Sequence, residues 1–425
     1  MREQVYTRIG ETVWRDTLPN GLEIRVISKP HHVRSCAFFV TRYGGMDLRF
    51  QLGGRWVDTP AGIAHYLEHK MFDTEDGNAL QRLAKNGAEP NAFTSNAITA
   101  YYFYSTEHFY ENLRILLEFV SVPYFTAESV EKEQGIIGQE IRGVEDTPDW
   151  QAYTRLMGCL YEKSPARVSV AGTVESIRQI TADTLYTCHR AFYTPSNMVL
   201  SVVGNVDPVR ISQIAREVLS PEQGEAIPRD YGGEEGPAPV RRETRLAMEV
   251  SMPQFLAGYK CDTPPEGPEQ LRLSAIGDMA CDILFGDSSP LYRRLYEEGL
   301  INGTFGGNFD ILPGAAYLYV GGDTEDPRAV HRAVTVEAAR LAREGIDEDF
   351  YQRIRRSAYG QMVRSLNSFD TAAVAAAEGV FHGYDYYDFP AVFETITKGD
   401  VEDFLRRYVT EERTAISLID PKEGQ

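Results

Sequence analysis

The sequence predicts an α+β protein made of two copies of one α/β sandwich, each a mixed or antiparallel sheet covered by helices. Three observations lead there. Ile180-Thr181-Ala182-Asp183 opens a helix that runs to Phe192-Tyr193, followed by a strand from Met198 to Gly204 and then Asp207-Pro208. Ile396-Thr397-Lys398-Gly399-Asp400 opens a second helix running to Tyr408, followed by a strand from Thr414 to Ile419 and then Asp420-Pro421. Matching order and length make duplication the economical explanation. Each half also leads with strands and then adds helices, the pattern of a sheet covered on one face. Between the copies, the Gly-, Pro- and Glu-rich stretch 221–242 reads as a linker. The expected domains are 1–220 and 243–425, in keeping with a chain of 425 residues, too long for one ordinary core.

Taken in order, Leu18-Pro-Asn-Gly-Leu22 is a turn signal before a strand from Glu23 to Ser28. A second strand covers Cys36 to Thr41, and residues 46–57 read as a loop delivering the chain to a helix after Pro60. Asp58 or Thr59 is the expected cap of that helix. A polar loop at 73–78 and a short helix at 79–85 follow. Two strands joined at Ser95-Asn96 come next, rich in aromatic and β-branched residues. Helices are then expected from Glu107 to Val120, from Glu128 to Asp146 and from Trp150 to Tyr161. Gly135 and Gly138 weaken the second of these, so close packing against a neighbour is the expected compensation. In the second half, strands near 246–250 and 255–259 precede helices at 269–285, 327–343 and 348–365, and Ala372 to Ala377 read as a close-packed helix face.

Composition bounds the function. With 43 basic against 62 acidic residues, the formal charge of -19 argues against nucleic-acid binding, which needs a basic face. The five cysteines are scattered, odd in number and without a CxxC pair, so they read as reduced core residues of an intracellular protein. No apolar run reaches ~18 residues and the start lacks a signal-peptide pattern, so no membrane is expected and the cytoplasm is the expected location.

The chemistry concentrates in one stretch. On a helix, His65 and His69 stand one turn apart on one face, and Glu68 lies beside them. Two neutral imidazoles at that spacing can close on one metal ion, and an adjacent carboxylate can take a proton from water. His65-Tyr-Leu-Glu68-His69 has the H-x-x-E-H order, the reverse of the common zinc motif. Glu133 and Glu140, seven apart on the charged helix, face the same way. Other candidates are weaker: His31-His32 reads as solvated, Cys188-His189 as packed, and Asp385 and Asp388 are too loosely placed for a second site.

Gly62-Ile-Ala-His65-Tyr-Leu-Glu68-His69-Lys-Met-Phe72 strongly resembles the active-site helix of the pitrilysin-type zinc metallopeptidases, the inverzincins. That family includes insulin-degrading enzyme and the mitochondrial processing peptidases, and this chain has the size of the half-size members. Glu133-Gln-Gly-Ile-Ile-Gly-Gln-Glu140 resembles the family's second-helix pattern, Asn91-Ala92-Phe93-Thr94 its substrate-holding strand, and Leu18-Pro-Asn-Gly-Leu22 its usual opening. The resemblance implies that His65, His69 and Glu140 bind one Zn²⁺ per chain, with the fourth position left for water. It implies Glu68 as general base and later proton donor, and Glu133 as a carboxylate orienting His69 or Glu140. Asn91 would hydrogen-bond substrate backbone, while Phe93 serves equally well as core. Ala92 to Thr94 would pair with an extended peptide by strand addition.

One stretch departs from the family. Related enzymes carry an Arg followed seven residues later by a Tyr in their second half. The matching stretch here, Leu295-Tyr-Glu-Glu-Gly-Leu-Ile-Asn302, places Tyr296 and Asn302 in those slots once a gap is allowed, with Arg293 and Arg294 out of register. The resemblance therefore implies a paralogous partner subunit supplying the absent Arg/Tyr pair within a clamshell, with a homodimer as the other pairing. The expected function is zinc-dependent endopeptidase action on unfolded peptides or small precursor proteins. The alternative is a non-catalytic scaffold subunit that captures peptide. A maturase dedicated to one modified peptide is a narrower form of the first reading.

Overall fold

Period-2 strands and period-3.6 helices alternate through the computed structural model, which describes residues 1–422. The first half contains β1 (Arg2–Tyr6), β2 (Glu11–Thr17), β3 (Glu23–Ser28), β4 (Ser35–Thr41), β5 (Arg49–Leu52), β6 (Arg55–Asp58), α1 (Ile63–Met71), β7 (Asp73–Thr74), β8 (Gly77–Asn78) and α2 (Ala79–Lys85). It continues through β9 (Glu89–Thr94), β10 (Thr99–Ser105), α3 (Phe109–Ser121), α4 (Ala127–Glu145), α5 (Pro148–Leu160), α6 (Val174–Ile177), α7 (Ala182–Phe192), β11 (Met198–Gly204) and α8 (Pro208–Val218). The second half contains β12 (Glu243–Met248), β13 (Gln254–Cys261), α9 (Pro268–Phe285), α10 (Pro290–Glu297), β14 (Gly306–Leu312) and β15 (Ala315–Asp323). It ends with α11 (Pro327–Glu344), α12 (Glu348–Ser365), α13 (Phe369–Phe381), α14 (Phe389–Glu394), α15 (Lys398–Tyr408) and β16 (Thr414–Pro421).

The duplication expected from the sequence is written in the sheets. One has the order β1-β2-β3-β11-β4-β10-β9 and the other β12-β16-β13-β15-β14. In each, the late strand of the duplicated unit inserts between two earlier strands: β11 lies parallel to β3 and antiparallel to β4, and β16 parallel to β12 and antiparallel to β13. The helices before these strands start alike, with Thr181 and Thr397 each in a reciprocal capping box.

The chain forms two compact units that are not sequential, unlike the expected division into 1–220 and 243–425. The first unit is 1–141, 169–230 and 363–388; the second, within the described residues, is 142–168, 231–362 and 389–422. The reason lies in α5 and α13. Helix α13 packs on β3, β4 and β11 of the first sheet, while α5 packs on β12, β13 and β16 of the second. Small residues permit both contacts. Ala372, Ala373, Ala376 and Ala377 are all buried on α13. On β13, a Cβ at Gly258 would lie 2.9 Å from Leu160 and 3.0 Å from Leu156 of α5. Nor is 221–242 a free tether. Arg229 pairs with Asp47 at 2.9 Å in the first unit, and Glu235 in the second accepts from the backbone N–H groups of Glu162, Lys163 and Ser164.

Other expectations also change. Residues 46–57 hold the hairpin β5–β6 rather than a plain loop. Gly135 and Gly138 have no close neighbour, since a Cβ at either would meet nothing within 4 Å, so close packing does not explain them. Asp58 and Thr59 do not cap α1: Asp58 pairs with Arg49, and the Thr59 hydroxyl donates to the Leu48 carbonyl. The unread strands β14 and β15 follow a glycine-rich turn, and β1 is too polar to signal itself.

Candidate metal centre

Helix α1 is held on three sides. Its entry is set by Gly62 at φ 91°, where a Cβ would lie 2.5 Å from the Ala171 carbonyl oxygen, so conformation and space both require glycine. Ala64, Leu67 and Met71 are buried in the first unit's core, each contributing roughly 1–3 kcal/mol by leaving water. The Tyr66 hydroxyl donates to the Val130 carbonyl, and the buried Lys70 ammonium reaches Asp73 and, at 3.3 Å, the Ser129 carbonyl. These last bonds fix α1 against the start of α4.

With those faces committed, His65, Glu68 and His69 point elsewhere. His65 Nε2 lies 3.5 Å from Glu140 Oε1, and His69 Nε2 lies 3.6 Å from Glu140 Oε2. One ligand atom from each of the three residues falls within 4.8 Å of the others. Around a tetrahedral zinc with bonds near 2.0–2.1 Å, ligand atoms sit about 3.4 Å apart. Two ring nitrogens and one carboxylate oxygen at these separations fit one divalent ion. Among the described residues this is the one grouping of three His, Cys, Asp or Glu side chains that does so.

The electrostatics suit the ligands. Burial, with the neighbouring His69, holds the His65 pKa below its usual value and favours the neutral ring that a metal needs. Burial also pulls His69 down, but the hydrogen bond its ring donates to Glu133, with Glu68 and Glu140, more than offsets it and leaves His69 raised. Glu133 Oε1 lies 3.1 Å from His69 Nδ1, and that contact lowers the Glu133 pKa. A carboxylate on the far ring nitrogen orients a ligand histidine and raises its basicity.

Glu68 is 8% exposed, and its Oε2 accepts from the Thr94 hydroxyl at 2.6 Å. Burial raises its pKa, partly opposed by that hydrogen bond and by His69. Thr94 ends β9, the edge strand of its sheet, whose far side carries no partner strand among the described residues. Asn91 is exposed, with Oδ1 accepting from the Ala92 N–H, and the half-buried Phe93 ring lies 6.4 Å from that of Tyr102. Tyr296 is 57% exposed on α10, and Asn302 Oδ1 accepts from the Thr304 N–H at 2.8 Å.

Of the weaker candidates, His31 and His32 are exposed and His189 is buried against Tyr193. Asp385 is tied to Arg15 and the Tyr6 hydroxyl. Reading the sequence by itself missed the Thr94 contact to Glu68, although period-2 alternation along β9 separates Thr94 from Phe93. It also missed Lys70, a lysine 1% exposed in the middle of the motif.

A duplicated sandwich with an inverted histidine motif on one helix and a carboxylate from another, α4, describes a family of peptidases, and the chain belongs to it: peptidase family M16. The model described as Insulinase (Peptidase family M16) matches residues 52–174, and that described as Peptidase M16 inactive domain matches 179–358. The uncharacterized zinc protease YmfH of Bacillus subtilis (strain 168) is 37% identical over 422 residues, 98% of either chain. The crystal structure of a putative M16-like peptidase from Alicyclobacillus acidocaldarius matches with a TM-score of 0.93 at 33% identity, over 97% of this chain and 99% of that one. A protease from Helicobacter pylori shares the fold, with a TM-score of 0.82 at 18% identity over 96% of this chain and 99% of that one.

Proposed function

We propose that the chain is a zinc-dependent endopeptidase acting on unfolded peptides or small precursor proteins. The observation that carries this reading is Glu68, a buried carboxylate of raised proton affinity beside the His65, His69 and Glu140 group. Zinc, when bound by those three side chains, supplies Lewis acidity toward a carbonyl and makes water a stronger acid. Glu68 then takes a proton from the attacking water and returns it to the leaving amine. Glu133 holds His69 in place. The open edge of β9, from Asn91 to Thr94, offers backbone groups to an extended peptide and thereby binds many sequences.

The absence of an Arg/Tyr pair, with Tyr296 and Asn302 in the corresponding slots, supports pairing with a paralogous subunit that contributes those groups. It equally favours the second reading, a scaffold subunit that captures peptide without cleaving it. The five buried free cysteines suit a reducing compartment, and we place the chain in the cytoplasm. No helix among the described residues is long and apolar enough to cross a membrane.

Mass spectrometry of an unstructured peptide library incubated with the zinc-loaded chain tests the proposal, with Glu68→Gln as control. The expected outcome is cleavage by wild type and a loss of about 10²–10⁴-fold in the variant, the usual worth of a positioned base. Zinc bound with no cleavage, even after adding the nearest paralogue, would leave the scaffold reading standing and remove the peptidase one.

A further inference from the structure

Behind Glu68 lies a file of hydroxyl groups that a metal site does not itself require. Thr94 Oγ1 donates to Glu68 Oε2 at 2.6 Å, and Thr99 Oγ1 lies 3.4 Å from Thr94 Oγ1 while donating to the Tyr43 carbonyl at 2.9 Å. The Tyr193 and Tyr101 hydroxyls bond to each other at 2.8 Å. Thr99 and Tyr101 are fully buried and Tyr193 nearly so. Burial is the main cause that holds both phenols well above their usual pKa, and the nearby Glu68 charge adds to it, so they stay protonated.

We infer that Thr94 is a positioning residue for Glu68, held by its place opposite Thr99 on the neighbouring strand; the inference rests on the peptidase reading. The terminal torsion of a glutamate is broad and roughly two-fold, so a carboxylate with no donor samples many orientations. One donor on Oε2 selects a single orientation and leaves Oε1, which has no hydrogen bond among the described residues, to exchange the proton. Thr94 can impose this because its own freedom is small. It is β-branched, and it stands directly opposite Thr99 in the β9–β10 ladder.

The second unit supplies an internal control. Across the first sheet, Thr94 pairs with Thr99, Thr99 with Thr41, and Thr41 with Met198, the first residue of β11. Across the second, Phe309 pairs with Leu318, Leu318 with Tyr259, and Tyr259 with Thr414, the first residue of β16. The counterparts of Thr94 and Thr99 are therefore Phe309 and Leu318. The hydroxyl pair occurs in the copy whose edge strand meets Glu68, and two apolar residues take its place in the other.

The test compares Thr94→Val, of nearly the same shape but with no donor, with Thr94→Ser, which restores one. Two readouts are taken: crystal structures of the metal-free variants, and kcat and KM of the zinc-loaded chains on a fluorogenic peptide. In Thr94→Val, Glu68 is expected to leave its wild-type orientation and kcat to fall about 10–100-fold, while KM and zinc content stay within about twofold, as for loss of a contact that orients a catalytic group. Thr94→Ser is expected to return both toward wild type. An unmoved Glu68 in Thr94→Val, or a loss of activity that tracks lost zinc and ignores the serine, overturns the inference. A wild type no more active than Glu68→Gln overturns the peptidase reading instead, and the metal-free crystal comparison still decides whether Thr94 holds Glu68.

Discussion

The two units share a skeleton and differ at one corner. In the first, Thr94 at the end of the edge strand reaches Glu68 on α1. In the second, Phe309 lies over Gly277 of α9, where a Cβ would fall 2.1 Å from the ring. A hydroxyl facing a carboxylate in one copy is replaced by an aromatic ring facing a bare backbone in the other. The order of the five shared strands, the inserted late strand and the capping are unaffected, so the skeleton does not depend on the chemistry of that corner. At the position of Thr94 the second unit places a ring that needs no hydrogen-bond partner, while burial raises the pKa of the neighbouring Asp278 to about 7.

If the difference is confined to that corner, properties set elsewhere should be shared. Each unit also holds, away from the metal centre, a histidine that its surroundings keep neutral. His189 packs on Tyr193, and His331 Nε2 lies 2.9 Å from the Thr414 hydroxyl. Burial lowers both pKa values to about 4. A depressed histidine contributes stability that is fully present above the unfolded value of 6.5 and is lost as pH falls toward 4. Each should therefore cost about 3 kcal/mol across that window. Urea unfolding between pH 7 and 4, compared with His189→Phe and His331→Leu, measures this with the other titrating groups cancelling. Trp14 and Trp56 report on the first unit and Trp150 on the second. Unequal slopes would extend the contrast beyond the corner.

The apolar corner can be attacked directly. Gly277→Ala forces Phe309 to move and should destabilise the second unit by about 1–3 kcal/mol, as overpacking does. Zinc binding should be untouched, and Trp150 fluorescence in denaturant together with zinc stoichiometry reads both. On the polar side, Glu133→Ala leaves His69 Nδ1 without its carboxylate. Zinc affinity should fall about 10–100-fold with little change in unfolding, as measured by competition with a chromogenic chelator. The smallest effect belongs to α4. Because a Cβ at Gly138 meets nothing within 4 Å, Gly138→Ala should stabilise the chain by about 0.5–1 kcal/mol. A destabilised variant in thermal unfolding would mean that the glycine serves a packing role after all.

Much was legible in the residues. Helix periodicity brings His65, Glu68 and His69 onto adjoining faces, and a separation of seven sets Glu133 and Glu140 on one side of α4, because both follow from 3.6 residues per turn. The repeated cap, helix and strand announced the duplication for the same local reason. What the sequence could not decide were facts of long range. Residues 142–168 and 363–388 each join the unit to which they are not contiguous, since only the sheets offer faces for α5 and α13. The start of α1 is set by Gly62 meeting Ala171, more than a hundred residues away in the chain. Thr94 finds Glu68 through strand register, and register is a property of the assembled sheet rather than of either strand. Local periodicity therefore determined which side chains share a face, and tertiary packing decided which faces meet.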